Sequence, residues 1–289
     1  SHIINFSDTV CNLIKSDVNV LSQVQAILSS LDERKGSVFD PELVDFFKEL
    51  SRKEYIWLDI MSKNPVHNLN NIDTLLLYQL EIDDIIDLTN IFSYLIDFRS
   101  EFTAVHSAGV ATVARRLAQL CNLSENESKM MLIAGHLHDL GKLAVDSDIL
   151  DKPGKLTSEE YNVIRSHTYY TYQLLRTIPQ LNTIRDWAAF HHEKLDGTGY
   201  PFHLDRQSLS IGSRVMAVAD IFSAITENRP YRKGMSKEKT IKVLRSLVDS
   251  QAIDGKIVDI VIDNYEDLCY QREIAQSHAE QRYIMYKNY

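Results

Sequence analysis

Thr157-Ser158-Glu159-Glu160-Tyr161-Asn162-Val163-Ile164-Arg165-Ser166-His167 is the stretch on which the fold turns. Thr157 and Glu160 form a T-x-x-E capping box, in which a hydroxyl and a carboxylate satisfy amides that a helix start leaves unpaired. A helix therefore begins near residue 158 and carries His167 two to three turns in. Upstream of it, Val105, Val110, Val113 and Leu117 keep helical spacing, as do Leu76, Leu80, Ile85 and Leu88, and Leu43, Phe46, Phe47 and Leu50 nearer the start. Downstream, Ser210 precedes an apolar-rich helix over roughly 211–227 that holds Asp220, and the stretch from about 256 to 287 reads as one or two helices. Ten Gly and six Pro are few for a chain of many tight turns. No run of alternating apolar and polar residues reads as a strand. The predicted class is all-α.

A length of 289 residues suggests two domains or one large one. Apolar residues at 44% and charged residues at 25% describe an ordinary globular chain and exclude a disordered one. The longest apolar runs, such as Met130 to Ala134, fall far short of the ~18 residues needed to span a bilayer. No signal peptide opens the chain. Cys11, Cys121 and Cys269 stand apart with no CxxC spacing, which argues against a disulfide scaffold and a thiolate zinc site and fits a reducing cytoplasm. The net charge of −9 argues against general affinity for a nucleic-acid polymer or an anionic membrane. A phosphorylated ligand would need a local cluster of cations.

A short internal match joins the two ends. Phe39-Asp40-Pro41-Glu42-Leu43-Val44-Asp45-Phe46-Phe47 aligns with Ile253-Asp254-Gly255-Lys256-Ile257-Val258-Asp259-Ile260-Val261, and Leu28, Ser30 and Leu31 align with Leu244, Ser246 and Leu247. Either short helices coincide by chance, or residues 1–62 are the tail of a related domain whose front is missing. The second alternative makes the chain an excised fragment, as does its start without Met. Residues 63–99 then form a helical linker opening at Asn64-Pro65, and residues 100–289 a second domain.

Seven of the ten histidines lie between His106 and His203, and histidine is both the commonest metal ligand and the natural acid or base near neutral pH. The first motif is His138-Asp139-Leu140-Gly141-Lys142, on a helix that runs from about 126. An imidazole beside a carboxylate suits zinc, manganese or iron, and a carboxylate can bridge two ions. Lys142 comes one helical turn after His138, on the same face, where an ammonium could meet a bound phosphate. Gly141 marks a stop or bend. The second motif, His191-His192-Glu193-Lys194-Leu195-Asp196-Gly197-Thr198-Gly199-Tyr200-Pro201, begins as a helix end and becomes a turn whose Asp and Gly residues permit close backbone approach to a ligand. Taken singly, His138 could be a core histidine and the loop a plain turn.

Together, HDxGK and HHExxDGxGYP resemble the HD-GYP family, bacterial phosphodiesterases of the HD superfamily, over about residues 100–265. The resemblance implies an HD-domain helical bundle preceded by a smaller helical N-terminal region. It implies seven metal ligands: His106, in Phe102-Thr103-Ala104-Val105-His106-Ser107; the pair His138 and Asp139; His167, after Lys152-Pro153-Gly154-Lys155-Leu156-Thr157; His191 and His192; and Asp220, in Ala219-Asp220. Two divalent ions, iron or manganese, would share Asp139, one held with His106, His138 and Asp220, the other with His167, His191 and His192. Lys142 would neutralise charge in the transition state. Arg229 and Arg232, in Arg229-Pro230-Tyr231-Arg232-Lys233, match the family's phosphate-contacting R-x-x-R, although cations at a helix C-terminus are favoured by the helix dipole in any case.

The implied activity is hydrolysis of cyclic di-GMP or 3′,3′-cyclic GMP–AMP to a linear dinucleotide in the cytoplasm. Two alternatives stay open: a catalytically silent receptor for cyclic dinucleotides, and an HD-superfamily phosphohydrolase acting on other nucleotides. A protein partner at the Gly197–Pro201 loop and a homodimer are also open. His136 is expected to pack, His203 to be exposed, and Trp187 and Phe190 to be core; Glu193 is expected to bond a ligating histidine. Some family members carry a glutamate four residues before the first histidine and resemble trinuclear centres. Here that place is Phe102, and Glu101 is rotated about 100° away on a helix. Two ions are therefore expected, not three.

Overall fold

The computed structural model describes residues 2–15, 20–52, 56–57, 60, 80–97, 105–152, 154–228 and 233–287. The Asn64-Pro65 break, Leu76, Glu101, Phe102, Arg229 and Arg232 lie outside the described residues. Among the described residues every regular element is a helix, and the extended pairings are two isolated bridges, Lys35 with Phe39 and Asp196 with Asp205. The all-α reading holds. No helix among them is long and apolar enough to cross a membrane.

The chain divides into two compact units, Ser1–Tyr78 and Gln79–Tyr289. The first contains α1 (His2–Leu13), α2 (Val20–Asp32) and α3 (Pro41–Leu50) around Phe6, Val10, Ile27, Leu31, Phe39, Val44 and Trp57. The ring of Phe6 meets Phe39 and Phe47 edge-on at 5.2 and 5.4 Å, a favoured aromatic geometry.

The second unit contains α4 (Ile82–Asp97), α5 (His106–Leu120), α6 (Glu125–Leu137), a 3₁₀ turn (Leu140–Ala144), α7 (Ser147–Leu150), α8 (Ser158–Leu175), a 3₁₀ turn (Pro179–Leu181), α9 (Asn182–Ala189), α10 (Ile211–Thr226), α11 (Lys237–Asp249), α12 (Gly255–Asp263) and α13 (Tyr265–Lys287). Helix α5 is its centre, packed on α6, α10 and α13, with Val110, Val113 and Leu117 fully buried against Met131, Ile133, Met216 and Phe222. Helix α4, within the stretch read from sequence as linker, packs on α5 and α6 and contributes Ile82, Ile85 and Ile86 to this core. Its last residue, Asp97, accepts hydrogen bonds from Ser107 Oγ at 2.7 Å and Ser107 N at 3.3 Å.

The helix starts follow from short polar signals. Ser124 with Glu127 and Thr157 with Glu160 form complete capping boxes, and Ser210 and Ser236 accept from amides in the first turns of α10 and α11. The internal match has a local structural counterpart: Asp40 caps α3 through Glu42 N, Asp254 caps α12 through Lys256 N, and Phe39, Val44, Ile253 and Val258 are all buried.

Candidate metal centre

Five segments of the second unit bring the predicted ligands together. His106 opens α5, His138 and Asp139 follow the end of α6, and His167 lies inside α8; His191 and His192 follow α9, and Asp220 lies inside α10. All are buried except His192, which is half-buried. Among the described residues, three groups of nitrogen and oxygen atoms could each hold an ion: His106, His138 and Asp220; His167, His191 and His192; and His138, Asp139 and His191. The first two correspond to the two ligand sets expected from sequence without their shared residue. Asp139 lies between them, with one oxygen 3.4 Å from His167 Nε2 and the other 3.2 Å from His138 Nε2.

Hydrogen bonding settles which ring nitrogen faces inward. Nδ1 of His138, His167 and His191 lies 2.8, 2.6 and 2.6 Å from the carbonyls of Gly135, Ile164 and Ala188. A carbonyl only accepts, so each Nδ1 carries a proton and each ring, when neutral, presents an Nε2 lone pair. Burial opposes charge on His138, but Asp139 and Asp220 outweigh it and raise that ring. The Nε2 atoms of His167 and His191 stand 3.4 Å apart. Two lone pairs facing each other at that distance repel unless a cation lies between them. Burial pushes His167 down to about 4, drives His191 well below its usual range and lowers His192, so these rings stay neutral as metal ligation requires. The two carboxylates stay charged. Burial would raise both, but His138 and Lys142 hold Asp139 well below the usual range, and His106 and the other imidazoles do the same for Asp220. The residues fit a divalent metal centre.

Helix α6 ends at Leu137, one residue before the motif, so His138 and Lys142 do not share a helix face as the sequence spacing suggested. The chain tightens into the 3₁₀ turn, and Lys142 Nζ comes within 2.6 Å of Asp139 Oδ2. The turn packs against the backbone of α8: a Cβ on Gly141 would lie 1.9 Å from His167 O, so a residue with a side chain cannot stand there without moving a ligand. Thr171, one turn after His167, accepts from Gly141 N at 2.9 Å and donates to His138 O at 3.1 Å. It ties the two metal-ligand segments together, and its place four residues after His167 on one helix face is the only sequence signal for it.

Glu193 is a correction. Its carboxylate accepts from Phe202 N at 2.6 Å and Leu204 N at 3.0 Å, so it clamps the far side of the loop and bonds no ligating histidine. Tyr200, in the same loop, lies beside His192 with ring centroids 5.0 Å apart, and the Arg165 guanidinium lies 4.7 Å from the Tyr200 ring centroid. His136 is buried, with Nδ1 3.4 Å from Thr89 Oγ1, and its burial pushes it down to about 4. His203 is exposed, and Trp187 is buried with Nε1 donating to Ser210 Oγ. Phe190 is half-buried and stacks with Tyr172.

Glu227 went unread in the sequence. Its Oε2 lies 2.9 Å from His106 Nδ1, and both groups are buried. Burial opposes charge on His106, but Glu227 and Asp220 outweigh it and push that imidazole up to about 10. Glu227 follows Asp220 by seven residues, two helical turns, which returns it to the same face.

Comparison with known proteins agrees with this arrangement. The family described as "HD domain" matches residues 90–257. A 3′3′-cGAMP-specific phosphodiesterase of Vibrio cholerae is 32% identical over 247 residues, covering 85% of this chain and 57% of the relative. A cyclic di-GMP phosphodiesterase of Pseudomonas aeruginosa is 39% identical over 143 residues, covering 49% of this chain and 34% of the relative. The crystal structure of a V. cholerae cyclic GMP–AMP-specific phosphodiesterase superposes with a TM-score of 0.52 at 26% identity, covering 84% of this chain and 56% of that one. The chain thus spans about half the length of the curated relatives it matches over most of its own length. With the paired motifs, the helical fold and the histidine–carboxylate centre in agreement, the chain belongs to the HD-domain family, in its HD-GYP branch.

Proposed function

We propose that this chain hydrolyses a phosphodiester bond of a 3′,3′-cyclic dinucleotide, cyclic GMP–AMP or cyclic di-GMP, to give a linear dinucleotide. The observation that carries the reading is the pair of Nε2 lone pairs of His167 and His191 facing each other at 3.4 Å in a buried site. Such a cluster has little use without a cation, and relatives similar to this chain are named for cyclic-dinucleotide hydrolysis. His106, His138 and Asp220 would hold one ion, His167, His191 and His192 another, and Asp139 would serve both. The donor set of imidazole and carboxylate suits iron or manganese. When bound, two such ions supply Lewis acidity and an acidified water for in-line displacement at phosphorus.

The chain's own groups do the rest. Lys142, kept protonated by Asp139 in spite of burial, is assigned to the negative charge that grows on the phosphorus centre. Tyr200, backed by Arg165, walls the side of His192 and limits access of bulk water. Arg229 and Arg232 are assigned to the substrate phosphates, a need set by the chain's net charge of −9. The free thiols of Cys11, Cys121 and Cys269 suit a reducing cytoplasm.

The test is metal analysis of the purified chain, followed by product chromatography with cyclic di-GMP, cyclic GMP–AMP and cyclic di-AMP. The expected result is bound iron or manganese and a linear product from at least one guanine-containing substrate, lost on chelation. Binding without turnover would make the chain a receptor. Turnover of mononucleotides alone would make it a phosphohydrolase of the wider superfamily.

A further inference from the structure

His106 is oriented differently from His138, His167 and His191. His138, His167 and His191 each give Nδ1–H to a carbonyl three residues back, so their own backbone sets the ring. His106 stands at the first position of α5. Its Nδ1 is met instead by Glu227, which is 3% exposed and lies just beyond α10. The same Glu227 oxygen accepts from Gln276 Nε2 on α13 at 3.2 Å. Gly109 is what lets Gln276 come so near: a Cβ there would lie 3.0 Å from Gln276 Nε2 and 3.0 Å from Arg272 Cγ. Arg272, one turn before Gln276, hydrogen-bonds the hydroxyl of Thr226, the residue before Glu227. Helix α13 is thus fastened to the end of α10 at two successive residues.

We infer that Glu227, steadied by Gln276, is the positioning residue that sets the ring of His106 with Nε2 toward Asp220, and that the C-terminal helix is therefore part of the metal-holding apparatus. The inference rests on the metal-centre reading of the site. A carboxylate that accepts Nδ1–H fixes the tautomer, restrains rotation of the ring and makes Nε2 a stronger donor to a cation. Nε2 already lies 3.4 Å from Asp220 Oδ1, the distance at which both atoms can share one ion. Gln276 holds the same oxygen from a second helix, so the carboxylate is tied to α13 as well as to His106.

The test is manganese binding to the full chain by calorimetry for the wild type, Glu227→Gln, Glu227→Ala, Gln276→Ala and the Glu227→Ala/Gln276→Ala pair, with thermal unfolding of each. Side-chain nitrogen spectra of the zinc-loaded wild type and Glu227→Gln proteins accompany it. Glu227→Gln keeps the shape and is expected to weaken one of the two ions by about tenfold, with Glu227→Ala worse. Gln276→Ala should weaken the same ion by less, and should add nothing once Glu227 is Ala, because it acts through that residue. The His106 Nδ1–H resonance should move upfield in Glu227→Gln while those of His138, His167 and His191 stay. Unchanged manganese affinity in both Glu227 variants, or a Gln276 loss that adds fully to that of Glu227→Ala, would overturn the inference. A wild-type chain that binds no manganese, iron or zinc would overturn the metal reading beneath it.

Discussion

Asp139 and Lys142 are joined by a 2.6 Å contact, yet their expected roles separate cleanly on substitution. Asp139→Ala should lose metal and hydrolysis together, because its two oxygens face His138 and His167 on opposite sides. Lys142→Ala should keep its metal while turnover falls by about a hundredfold or more, the cost of removing one preorganised charge from a transition state. Metal analysis beside initial rates separates the two outcomes, and equal metal loss in both variants would make Lys142 a structural residue. Glu193 makes a third case. Glu193→Ala would leave Phe202 N and Leu204 N without their partner, a penalty of about 1–3 kcal/mol, read as a lower unfolding midpoint with the metal still bound. The candidate ligands were legible in sequence because paired motifs name them one by one, and the structure gathers them in one place. Glu193 was misread and Glu227 missed because their partners, a loop amide and a histidine far upstream, come from distant parts of the chain.

At the scale of the element, local signals explain most of what sequence foretold. The capping box at Thr157 starts α8 where it was expected, and Ser210 starts α10. Thr157→Ala should therefore cost about 1 kcal/mol of stability, seen by thermal unfolding, with metal content unchanged, because His167 lies well inside the helix. The end of α6 was harder to read. Apolar periodicity runs up to the HD motif, but the helix closes at Leu137 because the next turn must press against the backbone of α8 at Gly141, a tertiary demand that periodicity does not carry. The pairing of α13 with the end of α10 was invisible for the same reason. The matched ends of the chain, in contrast, agree in local structure as well as in sequence, down to the aspartate caps of α3 and α12. That agreement extends the internal match from sequence to local structure.

At the scale of the whole molecule, the division at Tyr78 and Gln79 leaves all seven proposed ligands in the second unit. A 79–289 fragment should fold and bind metal with the affinity of the full chain. One beginning at residue 98 should be much less stable, because it loses Ile82, Ile85 and Ile86 from the core and the Asp97 contact with Ser107 beside His106. Calorimetric melting and metal titration of the two fragments check this, and equal behaviour would show α4 to be dispensable. The central claim concerns the site that this unit builds: seven side chains hold two ions that share Asp139. Anomalous scattering from crystals of the full chain grown with manganese tests it most directly. The account predicts two peaks, one among His106, His138 and Asp220 and one among His167, His191 and His192, with Asp139 reaching both. A single peak, a third strong peak coordinated by Glu101, or peaks away from these histidines would contradict it.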